Sequence, residues 1–400
     1  MKYDFDRIID RRRPDAVKWA VGENELPMWV ADMDFATAPE IMRALQQRLD
    51  HGIFGYGDIP EEWYDAYRRW WSSRHGFEME REWLIFCTGV IPAMSSTVRK
   101  LCTPNENVLV QTPVYNHFFS SIVNNGCRAL ESPLICRDGE WSMDFDDMQR
   151  KMADPQTTMM ILCNPHNPVG RIWTREELAK VGELAERCHV TVISDEIHCD
   201  ITAPGTEYVP FASVSETCRR ISITCIAPTK TFNIAGLQTA AVCVPDENLR
   251  NKVRRALNTD EVAEPNAFAC GAAAAAFNEG GPWLDAMREY VFENRRFAEE
   301  YIEKNIPRIG FTKGQATYLM WLDISALKGA GGREDRVSDL SGDFADYARR
   351  RTGLFVTAGS IYGTKGENYL RMNLACPRSM LEDGLERLRQ SADGYAAGSV

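Results

Sequence analysis

Short apolar runs alternate with turns and longer amphipathic stretches along most of the chain after about residue 80. Runs of four to seven Val, Ile, Leu or Met residues predict strands that are buried on both faces. Six such runs recur: EWLIFCTG (82–89), NVLVQTP (107–113), TTMMILCNP (157–165), VTVISDE (190–196), RISITCIAP (220–228) and TAAVCVP (239–245). Because helical stretches separate them, the order predicts an α/β domain with a mostly parallel sheet.

The clearest helical stretch is TREELAKVGELAERCH at 174–189. Thr174 is placed to cap the helix, with Glu177 three residues on as the partner of a capping box. Leu178, Val181 and Leu184 share one side of this helix. The alanine-rich stretch CGAAAAAF at 270–277 predicts a tightly packed helix rather than a linker.

The pattern changes at about residue 285. A charged helical stretch (284–305) leads to ATYLMWLDI (316–324), a glycine-rich loop (327–335), a further helix, and the strands GLFVTAG (353–359) and NYLRMNLA (368–375). This order predicts a smaller α+β domain. We therefore expect an N-terminal segment at 1–45 that joins the small domain, a large domain at 46–284 and the small domain at 285–400.

The charge balance excludes some classes of partner. With 46 basic and 57 acidic residues the net charge is −11, which argues against nucleic-acid backbones and anionic membranes. No stretch approaches the roughly 20 apolar residues of a membrane span, and the N-terminus lacks the apolar core of a signal peptide. The 12 cysteines are never three apart, so we expect free thiols in a reducing cytoplasm and no bound metal.

Polar or aromatic residues follow several predicted strands, at the edge where open α/β sheets bind ligands. Gly89 precedes a helix whose first amides are available to an anion. Tyr115 offers an aromatic face, and Asn167 offers an amide from the rigid turn CNPHNPVG. Each also has a structural interpretation, as a turn glycine, a core tyrosine or a turn-forming asparagine.

Asp195 and Lys230 end two of the predicted strands. A carboxylate in such a place is costly to bury unless it meets a cation. Burial lowers the pKa of a lysine, and the neutral amine can form a Schiff base with an aldehyde. A buried Lys–Asp ion pair is the alternative. Together, the anion loop, aromatic face, amide, carboxylate and amine are the parts that a pyridoxal 5′-phosphate (PLP) site needs.

Seven segments carry a resemblance to a known family: MWVADMDFATAP (28–39), HGIFGYGDIPEEW (51–63), CNPHNPVGRIWTREEL (163–178), VISDEIHCD (192–200), APTKTFNIAGLQ (227–238), ATYLMWLD (316–323) and LRMNLACPRS (370–379). The chain resembles the fold-type I PLP enzymes of the class I/II aminotransferase superfamily. Within it, the chain is similar to the cystathionine β-lyase-like C–S lyases, which include the maltose-regulon-modulator type. The resemblance implies a mostly parallel seven-stranded sheet flanked by helices.

The resemblance also implies roles for individual residues. Lys230 corresponds to the Schiff-base lysine and Asp195 to the partner of the pyridinium nitrogen, while Asn167 is expected at the ring 3-oxygen. By the same resemblance, Tyr115 is expected to stack on the ring, and His198 stands where aminotransferases usually have a tyrosine. The phosphate is expected to be bound by the amides of Val90 and Ile91, by the Thr229 hydroxyl and by Tyr56 from the other subunit of a homodimer. The residues expected to bind the substrate are Arg371, Asp32 and Met33. Ala227 and Gln238 depart from the serine and arginine that many relatives use to bind the phosphate.

The function implied by the resemblance is α,β-elimination of an S-substituted cysteine, such as cystathionine, to pyruvate, ammonia and a thiol. An aminotransferase that passes an amino group to a 2-oxo acid is the alternative with the same fold. From another class, a regulatory protein that acts by protein contact remains open, because some relatives bind a transcription activator.

Overall fold

The computed structural model describes residues 3–13, 15–330 and 339–398. Its helices are α1 (Pro39–His51), α2 (Glu61–His75), α3 (Val90–Leu101), α4 (His117–Val123), α5 (Phe145–Met152), α6 (Arg175–Arg187), α7 (Glu216–Ile221), α8 (Pro228–Thr231), α9 (Glu247–Thr259), α10 (Ala269–Glu279), α11 (Gly281–Asn305), α12 (Leu340–Thr352) and α13 (Arg378–Ala396). Its strands are β1 (Leu26–Pro27), β2 (Leu84–Cys87), β3 (Asn107–Val110), β4 (Arg128–Glu131), β5 (Ile135–Arg137), β6 (Glu140–Ser142), β7 (Thr157–Cys163), β8 (Thr191–Asp195), β9 (Ser222–Ile226), β10 (Ala240–Cys243), β11 (Gly310–Phe311), β12 (Leu319–Asp323), β13 (Leu354–Phe355), β14 (Thr357–Ala358) and β15 (Tyr369–Asn373).

The larger sheet has seven strands in the order β2-β10-β9-β8-β7-β3-β4. Strand β10 runs in the opposite direction to the other six strands of this sheet, which are parallel to each other. The predicted mostly parallel α/β fold is therefore confirmed. Each of the six apolar runs contains one of its strands. The seventh strand, β4, was not predicted from the pattern, because it is an edge strand whose residues are exposed or half-buried.

Helices cover both faces of this sheet, which explains the unbroken apolar runs. In β7, Met159 and Ile161 pack in a core cluster with residues of α3, α4 and α9. Met160 and Leu162 pack in another cluster with residues of α5 and α6. Because successive side chains of a strand point to opposite faces, the central positions of β7, from Met159 to Leu162, are all apolar.

Two local predictions about helices are confirmed. The Thr174 hydroxyl accepts a hydrogen bond from the Glu177 amide at 3.2 Å, and the Glu177 carboxylate accepts one from the Thr174 amide at 2.8 Å. This is the capping box at the start of α6. The alanine-rich stretch forms the buried helix α10, which packs against α1 and α2.

The smaller antiparallel sheet has the order β11-β12-β15-β14, and α11, α12 and α13 pack around it. The N-terminal segment joins this part through β1, which pairs with β13. Helix α1 crosses residue 45 and packs against α10, and the division at 45 and 284 stays a prediction. The glycine-rich loop at 327–335 lies largely outside the described residues. None of the described helices is both long enough and apolar enough to span a membrane.

Candidate active site

The predicted strand-end residues meet at one edge of the large sheet, where β3, β7, β8 and β9 are consecutive neighbours. Cys163 pairs with Asp195, and Asp195 pairs with Cys225, so these strand ends are level with each other. A cavity of about 200 Å³ opens there, far more than the 10–15 Å³ that one water molecule needs. Its lining residues are Ala31, Thr88, Gly89, Val90, Ile91, Pro92, Tyr115, Cys163, Asn167, Asp195, Ile197, His198, Thr229, Lys230 and Ala235.

One end of the cavity is formed by the start of α3. No side chain caps this helix, so the first amides after Gly89 are available to an anion. The hydroxyl-bearing residues Thr88 and Thr229 line the same cavity. Among the described lining residues Lys230 is the only lysine or arginine, so an anion at this end would be held by amides and hydroxyls.

Asp195 is buried at the end of β8. Its Oδ1 accepts a hydrogen bond from the Ile197 amide at 3.2 Å. Burial raises the pKa of the Asp195 carboxyl to about 7, and the charge of Glu196 adds to this rise. A cation placed in the cavity beside Asp195 would restore the ionised carboxylate.

His198 and Asn167 are both buried at the cavity wall. The His198 Nδ1 atom has no hydrogen-bond partner among the described residues. Burial, followed by the positive charges of Lys230 and Arg371, lowers the pKa of His198 to about 3, so the imidazole is neutral. Asn167 uses its Oδ1 to accept from Arg371 at 3.3 Å, which leaves its amide NH₂ group for a ligand.

The prediction that Lys230 ends a strand is wrong, because β9 ends at Ile226 and Pro228 begins the short helix α8, which contains Lys230. Its Nζ donates a hydrogen bond to the main-chain carbonyl of Ala31 at 2.6 Å. Burial and, to a smaller extent, the charge of the nearby Arg371 lower the pKa of Lys230 to about 8. About a tenth of the amine is therefore neutral, and so nucleophilic, at pH 7.

Arg371 lies in β15, behind Asn167 and buried. Its Nη2 donates to the Trp29 carbonyl at 3.0 Å, whereas its Nε has no partner among the described residues. The guanidinium also lies 5.0 Å from the ring centre of Tyr362. No carboxylate of the described chain forms an ion pair with Arg371, so this buried cation is available to an anionic ligand.

Four of the residues expected at the site do not line this cavity: Arg371, Asp32, Met33 and Tyr56, of which Tyr56 is expected in the site of the other subunit. Tyr56 is fully exposed and does not line the cavity. The Asp32 carboxylate pairs with Arg11 at 2.7 Å, and it lies close enough to Lys230 for its charge to raise the pKa of that lysine. The Met33 side chain is completely buried, because it packs in a core cluster that also contains Phe35 and Trp283.

The cavity also contains residues that the strand-end pattern did not single out. Ala31 comes from the N-terminal segment and Ala235 from the turn after α8, while Cys163 and Ile197 lie beside predicted residues. Ala31 lies in the segment at 28–39 that carries the family resemblance, and Thr88 lies at the end of the apolar run at 82–89. These two positions in the sequence are the features from which their place in the cavity could have been predicted. No side-chain chemistry marks Ala31, since it contributes a main-chain carbonyl.

A second polar cluster lies apart from this cavity. The structure brings His75 of α2 to Cys199 and Asp200, three residues of types that bind metals. The Asp200 carboxylate is already occupied, because it accepts hydrogen bonds from Trp70 and Thr231 and pairs with His75 at 2.9 Å. This cluster fixes Asp200 beside the helix that contains Lys230.

Comparisons with known proteins agree with this fold and identify the family to which the chain belongs. A family model described as aminotransferase class I and II matches residues 17–388. The chain is 41% identical to cystathionine beta-lyase PatB of Bacillus subtilis (strain 168), over 96% of this chain and 99% of that protein. Among solved structures, cystalysin from Treponema denticola, which contains a pyridoxal 5′-phosphate cofactor, is 31% identical to this chain. Its TM-score is 0.93, over 98% of this chain and 99% of that chain. A PLP-bound C–S lyase from Staphylococcus hominis, complexed with the inhibitor L-cycloserine, is 33% identical with a TM-score of 0.89 over the same shares of the two chains.

Proposed function

The chain belongs to the class I and II aminotransferase family, and from this membership and the cavity we propose that it is a PLP-dependent carbon–sulfur lyase. The substrate class is an S-substituted cysteine such as cystathionine. The observation that carries the proposal is the convergence of Lys230, Asp195 and Asn167 at one cavity. The similarity to PatB supports the lyase branch of the family.

The residues present fit PLP, as three features of the cavity indicate. The uncapped start of α3, with the amides of Val90 and Ile91 and the Thr229 hydroxyl, suits the phosphate. Asp195, with its raised pKa, needs a cation, which the ring nitrogen would provide. The unpartnered His198 Nδ1 and the amide of Asn167 are placed for a polar ring substituent.

When bound, PLP supplies an aldehyde that links to a primary amine and a ring that takes up electrons from the substrate α-carbon. Tyr115 would cover the ring, and Asp195 would stay ionised against the ring nitrogen. Lys230 would hold the cofactor between turnovers. Once released, its amine would remove the proton from the substrate α-carbon, a task that its lowered pKa favours.

Arg371 would bind the substrate carboxylate. Its Nε is unpaired and its two terminal nitrogens are fixed by Asn167 and Trp29, so the guanidinium is oriented before the substrate arrives. A planar guanidinium can form two parallel hydrogen bonds with a carboxylate, which a lysine cannot. This contact would hold the α-carbon beside Lys230.

The net reaction breaks the Cα–H and Cβ–S bonds of the substrate. The thiolate leaves with the electron pair of the C–S bond and takes up a proton, and the remaining enamine adds water to give pyruvate and ammonia. No second organic substrate is consumed. An aminotransferase would instead pass the amino group to a 2-oxo acid, and it shares only the steps through α-proton removal.

A product assay separates these two activities. We would incubate the PLP-loaded protein with cystathionine alone and, separately, with a range of amino acids plus 2-oxoglutarate, and identify the products by mass spectrometry. Pyruvate and a thiol from cystathionine without any 2-oxo acid support the lyase. Formation of glutamate, with no pyruvate from cystathionine, would support the aminotransferase instead.

The assembly that we propose is a homodimer in which Tyr56 reaches the phosphate of the other subunit. Met42 and Leu49 of α1, and Ile53, Phe54 and Tyr56 after it, are large apolar residues that are more than half exposed. A continuous segment of this kind is typical of protein–protein contact surfaces. The separation of Tyr56 from its own cavity fits this arrangement.

We also propose that the protein works in a reducing cytoplasm. All 12 of its cysteines are free, and most are buried. Free thiols are the usual state of cysteines in that compartment.

A further inference from the structure

The main-chain carbonyl of Ala31 accepts two hydrogen bonds from opposite parts of the chain. Lys230 Nζ donates to it at 2.6 Å, and the Tyr318 hydroxyl donates to it at 2.9 Å. Tyr318 is fully buried just before β12 and does not line the cavity, whereas Ala31 does. The shared oxygen therefore links the tyrosine to the lysine by hydrogen bonds, and the Tyr318 ring also lies edge-to-face against His198, at 6.1 Å between ring centres.

The peptide that presents this carbonyl is held on both sides. The Asn373 side-chain amide donates to the carbonyl of Val30 at 2.7 Å and to that of Asp32 at 2.6 Å. The amide of Met33 donates to Asn233 at 3.0 Å. Because its neighbours are fixed, the Ala31 carbonyl cannot turn away from Lys230 and Tyr318.

The charges around Lys230 come from several elements. The titratable groups that face it are Asp32 of the N-terminal segment, Asp195 of β8, His198 after β8 and Arg371 of β15. Burial raises the pKa of Tyr318, and the Asp32 charge adds to the rise, so the phenol keeps its proton and remains a donor. At neutral pH the Ala31 oxygen is thus shared between a hydroxyl and the lysine.

We propose that Tyr318 is a positioning residue that acts on Lys230 through the Ala31 carbonyl: by donating to this oxygen, it limits how strongly the oxygen holds the lysine ammonium. A hydrogen bond to a charged group favours the charged form, and an acceptor that already binds one donor offers less to a second. Removing the hydroxyl would leave the oxygen entirely to the ammonium. The inference rests on the proposed role of Lys230 as the reactive amine.

The expected effect is a shift in the titration of Lys230. Loss of one shared hydrogen bond corresponds to about half to one pKa unit. The wild-type pKa is lowered to about 8, so removal of the hydroxyl would bring it part of the way back to 10.5. The neutral fraction of the amine at pH 7 would then fall by about three- to tenfold.

The test measures the Lys230 pKa in the full-length chain without turnover. The cofactor-free protein is labelled with a trace of 1-fluoro-2,4-dinitrobenzene between pH 6 and pH 10, and the label on the peptide that contains Lys230 is quantified by mass spectrometry. The variant is Tyr318→Phe. The matched control is Tyr395→Phe, which removes another buried hydroxyl: Tyr395 donates to Asp343 at 2.6 Å, and neither residue lines the cavity.

We expect the labelling midpoint to rise in Tyr318→Phe and to stay at the wild-type value in Tyr395→Phe. A second measurement keeps the hydroxyl and the fold: 3-fluorotyrosine placed at position 318 is a stronger donor, and the midpoint should fall below the wild-type value. Equal midpoints in wild type and both position-318 variants would overturn the inference. A failed lyase reaction in the wild type, with the shifts present, would instead contradict the proposed function.

Discussion

Arg371 and Asn167 are 204 residues apart in the chain, yet Nη1 of the arginine lies 3.3 Å from Oδ1 of the asparagine. The arginine belongs to the small antiparallel sheet, and the asparagine follows a strand of the large parallel sheet. The contact joins the two sheets at the cavity. It also places the cation that we propose binds the substrate beside a residue that we assign to the cofactor.

Replacing Arg371 with lysine should reduce kcat/KM for an S-substituted cysteine by about 10- to 100-fold, because the two parallel hydrogen bonds to the carboxylate are lost. Steady-state kinetics with cystathionine would measure this. Arg389→Lys is the matched control, since Arg389 forms an exposed pair with Glu386 on α13. An unchanged kcat/KM in Arg371→Lys would contradict the assigned carboxylate contact.

Asp195 should make the cofactor-free protein less stable as pH rises. Its pKa is raised from 3.8 to about 7, so the stability that protonated Asp195 contributes is present below pH 4 and is lost between pH 4 and pH 7. We expect Asp195→Asn to be more stable than the wild type at pH 8 by a few kcal/mol, at about 1.4 kcal/mol for each unit of the shift. The difference should disappear near pH 4, as measured by urea unfolding.

Addition of PLP provides the control for the Asp195 prediction. The ring nitrogen would supply the missing cation, so PLP should stabilise the wild type more than it stabilises Asp195→Asn. A higher stability of the wild type at pH 8 without cofactor would show that the carboxylate already has a partner.

Val90→Pro should weaken PLP binding with little loss of fold. The substitution removes one amide at the first position of α3, where proline is tolerated, and the extended conformation of Gly89 suits a residue before proline. One charge-assisted hydrogen bond corresponds to about 10- to 100-fold in affinity. Fluorescence titration would measure this, with pyridoxal, which lacks the phosphate, as the control ligand whose affinity should not change.

The role of Tyr56 can be tested by mixing two inactive variants. If Tyr56 completes the site of the other subunit, dimers of Tyr56→Ala and Lys230→Ala that exchange subunits would contain one native site. About a quarter of the wild-type activity should then return, since half of the dimers are mixed and each has one working site of two. Native mass spectrometry would confirm the mixed dimers, and their presence without activity would show that Tyr56 acts within its own chain or not at all.

Much of the fold follows from local chemistry. The run at 157–165 predicts β7 because the middle of a strand that helices cover on both faces is a continuous apolar stretch. Thr174 and Glu177 predict the start of α6, since their capping box depends only on residues three apart. The edge strand β4 could not be recognised in this way, because its half-exposed residues lack the apolar run.

The residues of the candidate site also fall into those that local sequence patterns predict and those that they do not. Asp195 and Lys230 could be predicted because Asp195 ends β8, Lys230 lies in the short helix after β9, and neighbouring parallel strands bring their carboxyl ends together. The Ala31 carbonyl and Tyr318 could not, because a main-chain acceptor has no sequence signal and its partners are 199 and 287 residues away. Met33 was expected at the substrate from its motif, but its apolar side chain is buried in the core.

The central claim is that Lys230 removes the α-proton in a lyase reaction, and one measurement tests it most directly. The PLP-loaded wild type and Lys230→Ala are each given cystathionine without a 2-oxo acid, and pyruvate and thiol are quantified over time. We predict equal amounts of both products from the wild type and a rate at least about 100-fold lower in Lys230→Ala, as expected for loss of a catalytic base. Equal rates in the two proteins, or no pyruvate from the wild type, would contradict the account.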